Sequence, residues 1–257
     1  MLELAFLGQF GDAIDFIFNR RESVSGGVQI GGLEEIADLS LTHLAVSAAG
    51  LGAAIAVALP LGMYLGHTRK GEFLAIATSN VGRAVPALAL LALALAYIGT
   101  GFLNVAAVMF LLSVPPILTN TYVGMSQVDR DVVDASRGMG MSESQVVWKV
   151  ELPLALPTIF AGLRLGSVFV LATATIAPYA NVQTLGQPII NDQIYGGAGQ
   201  LGASIVIALI TLGADVGFGL LQRAVTPKGL KLARAAGRTP RRRRISITFP
   251  TRREKTI

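Results

Sequence analysis

Residues 84–128 read AVPALALLALALAYIGTGFLNVAAVMFLLSVPPILTNTYVGMSQV, a run of 45 residues without one Asp, Glu, Lys or Arg. About 20 apolar residues cross the hydrocarbon core of a bilayer, so this run holds two crossings. Its divider is the polar, glycine-containing turn Gly99-Thr-Gly-Phe-Leu-Asn104. Lipid leaves a spanning backbone only helices or closed barrels, and a continuous rather than alternating apolar run selects helices. Working outward, three further charge-free windows follow at 44–67, 165–191 and 193–214. They place spans at 43–65, 75–98, 104–125, 158–180 and 201–222. The expected fold class is all-α, a polytopic membrane protein with about five transmembrane helices.

Composition points the same way. Of 257 residues 52% are hydrophobic and only 14% charged, with mean hydropathy +0.59, whereas soluble chains average about 25% charged. So few charges cannot cover a water-facing surface. The absence of cysteine excludes thiol catalysis, cysteine-ligated metal and disulfides. His43 and His67 flank the first span at opposite ends and cannot meet, and the carboxylates outside the long loop form no catalytic pair. No catalytic, cofactor or metal site is expected. Pro60, Pro86, Pro115, Pro116 and Pro178 fall inside the spans, which membrane helices tolerate. The small-xxx-small pairs Gly162/Gly166 and Gly213/Gly217 read as packing surfaces.

Orientation follows from Lys and Arg near span ends. Arg69 and Lys70 follow span one, Arg130, Arg137 and Lys149 lie in the 126–157 connection, and twelve Lys/Arg lie from Arg223 onward. The opposite connections, around 99–103 and 181–200, hold none. The expected arrangement is an external N-terminus and a cytoplasmic C-terminus in the cell membrane. Residues 1–40 form an external or interfacial segment, 41–225 the permeating unit, and 226–257 a basic cytoplasmic tail. The first 42 residues lack the basic start of a cleavable signal. Leu2, Leu4, Phe6, Leu7, Phe10, Ile14, Ile17 and Phe18 make the stripe of an interfacial helix. A sixth span over residues 1–20 is the alternative, opposed by Asp12 and Asp15 near its middle. Ser23 to Gly32 reads as a linker.

The 126–157 loop carries the functional signal. Ser126 with Asp129 suggests the start of one short helix, Gly138 and Gly140 a break, and Ser142 with Gln145 a capping box for a second helix. Pro153 is expected to end that helix. Within the loop stand Asp134-Ala-Ser-Arg-Gly-Met-Gly140, then nine residues, then Val150-Glu-Leu152-Pro153. This resembles the signature of ATP-binding-cassette importer permeases: Glu-Ala-Ala, three residues, Gly, nine residues, Ile, one residue, Leu-Pro. Asp134, Ser136 and Val150 are the conservative departures. The resemblance implies a MetI-like importer-permease fold, with Asp134, Ala135, Ser136, Gly140, Val150, Leu152 and Pro153 in an element that docks on a separate ATPase subunit. The chain itself has no G-x-x-x-x-G-K-[ST] phosphate loop, so any ATP hydrolysis belongs to that partner.

Further stretches are similar to the osmoprotectant branch, the glycine betaine, choline and carnitine importers. They are Arg83-Ala-Val-Pro-Ala-Leu-Ala-Leu-Leu91, Leu152-Pro-Leu-Ala-Leu-Pro157 with Gly162-Leu-Arg164, and Arg223-Ala-Val-Thr-Pro227. The similarity covers roughly residues 40–230, and the Pro-Tyr-Ala-Asn stretch after Ala177 departs from it. It implies an osmoprotectant permease with three partners: the ATPase, an extracytoplasmic solute-binding protein, and a second permease copy or a related permease. Quaternary ammonium ligands sit against aromatic faces, yet the spans hold few aromatics and Trp148, the one Trp, lies in the loop. Capture is therefore expected on the binding protein. Methionine or another small solute is the alternative cargo. A secondary carrier without an ATPase is the alternative class, and a non-transporting scaffold is disfavoured by the loop.

Arg83, Arg164 and Asp215 are the charged groups within or near the spans, and such groups face the bundle interior and find partners. Asp215 is expected to pair with Arg164 or Arg83. Thr173, Thr175, Asn181 and Gln183 are candidate pathway residues, with polar contacts between helices as the plainer reading. Arg241-Arg-Arg-Arg244 suits anionic membrane lipid rather than nucleic acid.

Overall fold

The computed structural model describes residues 2–73, 77 and 85–226, with side chains from residue 8 onward. Arg83 and the basic tail beyond residue 226 lie outside the described residues. Along the chain come α1 (Leu2–Phe18), β1 (Arg20–Glu22), β2 (Gln29–Gly31), α2 (Gly32–Thr68), α3 (Ala87–Ile98), α4 (Phe102–Ser126), α5 (Arg130–Gly138) and α6 (Glu143–Val146). A π turn (Val147–Glu151) leads into α7 (Leu152–Thr173), and a 3-10 turn (Ala174–Ala180) precedes α8 (Gln187–Ile190) and α9 (Asp192–Val225). Among the described residues four helical stretches are long and apolar enough to cross a membrane: Gly32–Thr68, Phe102–Ser126, Glu143–Ala180 and Asp192–Val225. A shorter apolar helix, Ala87–Ile98, falls within the expected 75–98 span. The all-α polytopic fold expected from the charge-free windows is the fold observed. Gly99 and Gly101 sit at positive φ between α3 and α4, where the divider was expected.

Three helices form the central block, and small residues decide how closely they approach. A Cβ at Gly62 would lie 2.7 Å from Thr121 Cβ, and one at Gly66 2.5 Å from Met125 Cβ, so α2 and α4 are in backbone contact at that end. A Cβ at Gly162 would lie 2.6 Å from Asn120 Cβ and 2.7 Å from the Pro116 carbonyl, seating α7 on α4. Ala54, Ala58, Ile117, Met125, Ala155 and Ile159 fill the interior near the 126–157 loop; Val46, Leu91, Val105, Met109 and Val170 fill the other half. Gly213 and Gly217 were expected to pack, but a Cβ at either would meet nothing within 4 Å. The exposed Leu209, Leu212, Val216 and Leu220 share that helix, so this side of α9 is open in the single chain.

At the far end, α2 starts at Gly32 rather than near residue 43, with Glu34 and Glu35 in its first turn, where carboxylates suit a helix N-terminus. Residues 23–32 are not a linker. β1 and β2 pair antiparallel, with Arg21 opposite Ile30, and Gly26 and Gly27 take the positive φ that the loop requires. Phe16 of α1 is fully buried and meets Tyr195 edge-on with ring centroids 6.1 Å apart. The Tyr195 hydroxyl donates to Glu35 (2.7 Å), whose other oxygen accepts from the Gly31 N–H (2.7 Å). Of the expected α1 stripe, Ile14 and Phe18 stay exposed while Ala13 and Phe16 face the protein. His43 lies inside the bundle rather than at a span edge; it is fully buried, with Nε2 2.9 Å from the Leu171 carbonyl.

Candidate functional site

The loop between α4 and α7 is built almost entirely by local capping. Ser126 does not cap α5: it is the last residue of α4, its hydroxyl donating to the Val123 carbonyl (3.3 Å). Asp129 is the N-cap instead, its carboxylate accepting from the Asp131 N–H (2.9 Å). At the other end the Gly140 N–H donates to the Arg137 carbonyl (2.9 Å) and the Met141 N–H to the Ser136 carbonyl (3.2 Å). That double bond pattern, with Gly140 at φ +85°, is a Schellman turn, in which the left-handed position favours glycine. Met141 then packs with Val128, Val133 and Val146 beneath the loop. The Ser142/Gln145 capping box forms as expected, with both reciprocal bonds present.

Pro153 does not end the second helix. The chain runs helically from Glu143 through α7 because the π turn widens the coil just before the proline, and the Leu152 N–H donates back to the Val147 carbonyl. A π turn relieves the clash that a proline ring makes with the carbonyl four residues earlier. The motif therefore divides in space. Asp134, Ala135 and Gly140 are exposed, and Ser136 is turned inward, its hydroxyl donating to the Val132 carbonyl (2.7 Å). Val150, Leu152 and Pro153 are half-buried in the entry to α7. Beside the exposed trio stand Val132, Met139 and Trp148, which are 43%, 72% and 62% exposed and give the loop an apolar outer surface.

Charged groups join this loop to the end of α2. Arg137 donates to Glu143 through Nε and Nη2 (both 2.9 Å) and through Nη1 to Asp134 (3.2 Å). These hydrogen bonds, with a smaller contribution from Coulomb attraction, hold the Glu143 carboxyl below the usual carboxylate range and raise Arg137. His67 places Nδ1 2.7 Å from Glu151 and Nε2 3.3 Å from Glu143. Arg69, at φ +52°, donates to the Val128 carbonyl (2.7 Å). None of His67, Arg69, Glu143 and Glu151 stands out in the sequence as a site residue; their only signal is that they are polar groups flanking an apolar span and a short loop.

Deeper in the helices, Arg164 of α7 and Asp215 of α9 make a two-pronged pair, Nε to Oδ1 at 2.8 Å and Nη2 to Oδ2 at 2.6 Å. Arg83, the third member of the expected network, lies outside the described residues. Thr175 donates to the Ala172 carbonyl within its own turn, whereas Gln183 lines a small cavity of about 250 Å³ with Arg20, Glu34, Glu35 and Asp38 at the far end. Among the described residues no group of His, Asp and Glu is arranged to hold a metal.

The described residues thus form a bundle of apolar helices with a capped, partly exposed loop between α4 and α7. Residues 58–231 match the family described as binding-protein-dependent transport system inner membrane component, and the chain belongs to that family. It is 35% identical over 196 residues to the carnitine transport permease protein OpuCB of Listeria monocytogenes, covering 76% of this chain and 90% of that one. It is 33% identical over 190 residues to the glycine betaine/carnitine/choline transport system permease protein OpuCB of Bacillus subtilis (strain 168), covering 74% and 88%. Among solved structures, an inward-facing MetNI methionine ABC transporter superposes with TM-score 0.65 at 21% identity, over 76% of this chain and 98% of that one. That likeness establishes the fold, which is the MetI-like one.

Proposed function

We propose that this chain is the permease subunit of an importer for quaternary-ammonium osmoprotectants such as glycine betaine, choline or carnitine, driven by a separate ATP-binding-cassette ATPase. The observation that carries the reading is the 126–157 loop: small and apolar groups exposed on its outer side, a rigidly capped backbone beneath, and the permease motif at full spacing. The cargo rests on the relatives, whose printed names are those of carnitine, choline and glycine betaine permeases. The loop end is assigned to the cytoplasm and the N-terminal end to the outside by the Lys/Arg distribution. An extracytoplasmic binding protein delivers the solute to the far end. A second permease, either another copy or a relative, covers the open Gly213/Gly217 side of α9. Residues 1–40 form the external segment, 41–225 the permease unit, and the basic tail from 226 meets anionic lipid.

The test is uptake into vesicles holding the permease, its ATPase and its binding protein. ATP-dependent accumulation of radiolabelled glycine betaine, choline or carnitine, absent when the ATPase is omitted, is the expected result. Accumulation of methionine alone would overturn the cargo. Accumulation without the ATPase would make the chain a secondary carrier.

A further inference from the structure

Glu151 is the most enclosed carboxylate of the loop, with a side chain 3% exposed. A carboxylate removed from water needs a charged or hydrogen-bonding partner, and its partner is His67 of α2, Nδ1 to Oε2 at 2.7 Å. The other ring nitrogen faces Glu143 Oε2 at 3.3 Å. The one imidazole thus lies between two carboxylates, hydrogen-bonded through Nδ1 to Glu151 and within ion-pair distance of Glu143 through Nε2. Glu143 and Glu151 stand at the two ends of the α6–π segment, and the ring of a third element braces both. The other charged groups at this junction are Arg137 and Asp134 of α5, Arg69 just after α2, and the exposed Lys149 of the π turn.

The position of this brace matters mechanically. The segment joins the helical block through two irregular turns, the Schellman turn at Gly140 and the π turn at 147–151. A π turn departs from the regular i→i−4 bonding of a helix and is found mostly at functional sites. Held at its chain ends alone, the loop would spend an applied displacement in those turns. His67 sits one residue beyond Gly66, where α2 is in backbone contact with α4, so a push on the segment reaches the central block directly.

We propose that His67 and Glu151 are positioning residues that form a strut between the ATPase-facing segment and α2, passing displacement of the loop into the first long helix instead of letting the π turn absorb it. The inference rests on the reading of the chain as an ATPase-driven permease. Neither residue touches solute or nucleotide; both act through the loop.

The experiment uses the complete complex in vesicles, measuring solute moved per ATP hydrolysed, with assembled complex quantified separately. Glu151→Gln and His67→Gln keep size and some hydrogen bonding but replace the imidazole–carboxylate contact. Each is expected to lower solute per ATP by about fivefold or more, the scale of a lost coupling between sites, while ATP hydrolysis and assembly stay near wild type. The double variant is expected to be no worse than either single one, as for residues acting through one contact. Glu143→Gln, at the exposed end, is expected to do less. Because a lone buried carboxylate destabilises, His67→Ala is paired with Glu151→Leu, which removes the stranded charge; assembly is expected to recover and coupling is not. Variants with unchanged solute per ATP overturn the strut. So does loss of assembly that tracks loss of uptake in every variant, since that is a purely structural role. Wild-type uptake that needs no ATPase overturns the proposed function itself, a distinguishable failure.

Discussion

Gly140 allows backbone strain and contact with a partner to be separated by one series of substitutions. At φ +85° a non-glycine residue costs about 1–2 kcal/mol, with Asn the mildest because its short polar side chain tolerates the left-handed region. A Cβ there would meet nothing within 4 Å, so side-chain size adds no penalty inside this chain. Gly140→Ala and Gly140→Trp should therefore destabilise the isolated permease alike, by about 1–2 kcal/mol, and Gly140→Asn by less. In the complete complex the order changes if this surface is enclosed by the ATPase. An indole forced into a close-packed interface adds overpacking of about 1–3 kcal/mol, or roughly five- to more than a hundredfold in the docking equilibrium. The assays are thermal unfolding of the purified permease and ATP-coupled uptake in vesicles. Equal uptake by the Ala and Trp variants would refute the placement of Gly140 against a partner, and unequal unfolding would refute the claim of open space around it.

On α2, Gly66→Ala should destabilise the permease by about 1–3 kcal/mol through overpacking against Met125, whereas Gly52→Ala, with nothing within 4 Å, should stabilise it by about 0.5–1 kcal/mol; detergent-phase unfolding of the two reads the difference in sign. Asp215→Asn removes one charge from the two-pronged contact with Arg164 and should reduce uptake with the protein still in the membrane; unaltered uptake and stability would count against a role for the pair. The Arg137 contact holds the Glu143 carboxyl below its ordinary value, so it contributes at and above the usual carboxylate range and is lost as pH falls through the depressed value. Coupled uptake should therefore hold from neutral pH down to mildly acidic conditions and fall only below the usual carboxylate range, and Glu143→Gln should flatten that acid limb.

The parts of this fold that were legible in the sequence are those governed by local chemistry or by the bilayer. Absence of charge marks a span because lipid penalises every ion, and the Gly99–Gly101 turn declares itself by composition. The Ser142/Gln145 box and the Gly140 turn are likewise local bonds written in adjacent residues. The Arg164–Asp215 pair was half legible. Charge inside apolar spans marked Arg164 and Asp215 as groups needing partners, but choosing between Arg164 and Arg83 needed the rotation of each helix, which hydropathy does not carry. The β1–β2 hairpin escaped notice because its strands are three residues long and polar, so no alternation could show. The route through Pro153 escaped because proline rules describe an α-helix, and a π turn suspends them.

His67 and Glu151 were hidden for a different reason, and it bears on how the motif should be understood. Eighty-four residues separate them, and neither type is unusual where it stands: a histidine ending a span, a glutamate in a polar loop. Only packing reveals that the glutamate is enclosed. Yet Glu151 occupies the variable position between Val150 and Leu152, the place that a motif leaves blank. Of the positions the motif names, Asp134, Ala135 and Gly140 face outward, while Ser136 turns inward and Val150, Leu152 and Pro153 are half-buried. The blank position faces inward, to His67 of α2. If the outward half makes the docking surface that any ATPase of this class requires, the inward contact is free to differ from one permease to the next, provided each finds some polar or apolar group to brace the loop against its first long helix. Sequence spacing then reports the shared task of being gripped, while the contact that turns the grip into motion of this chain is specific to it and lies in residues that no spacing singles out.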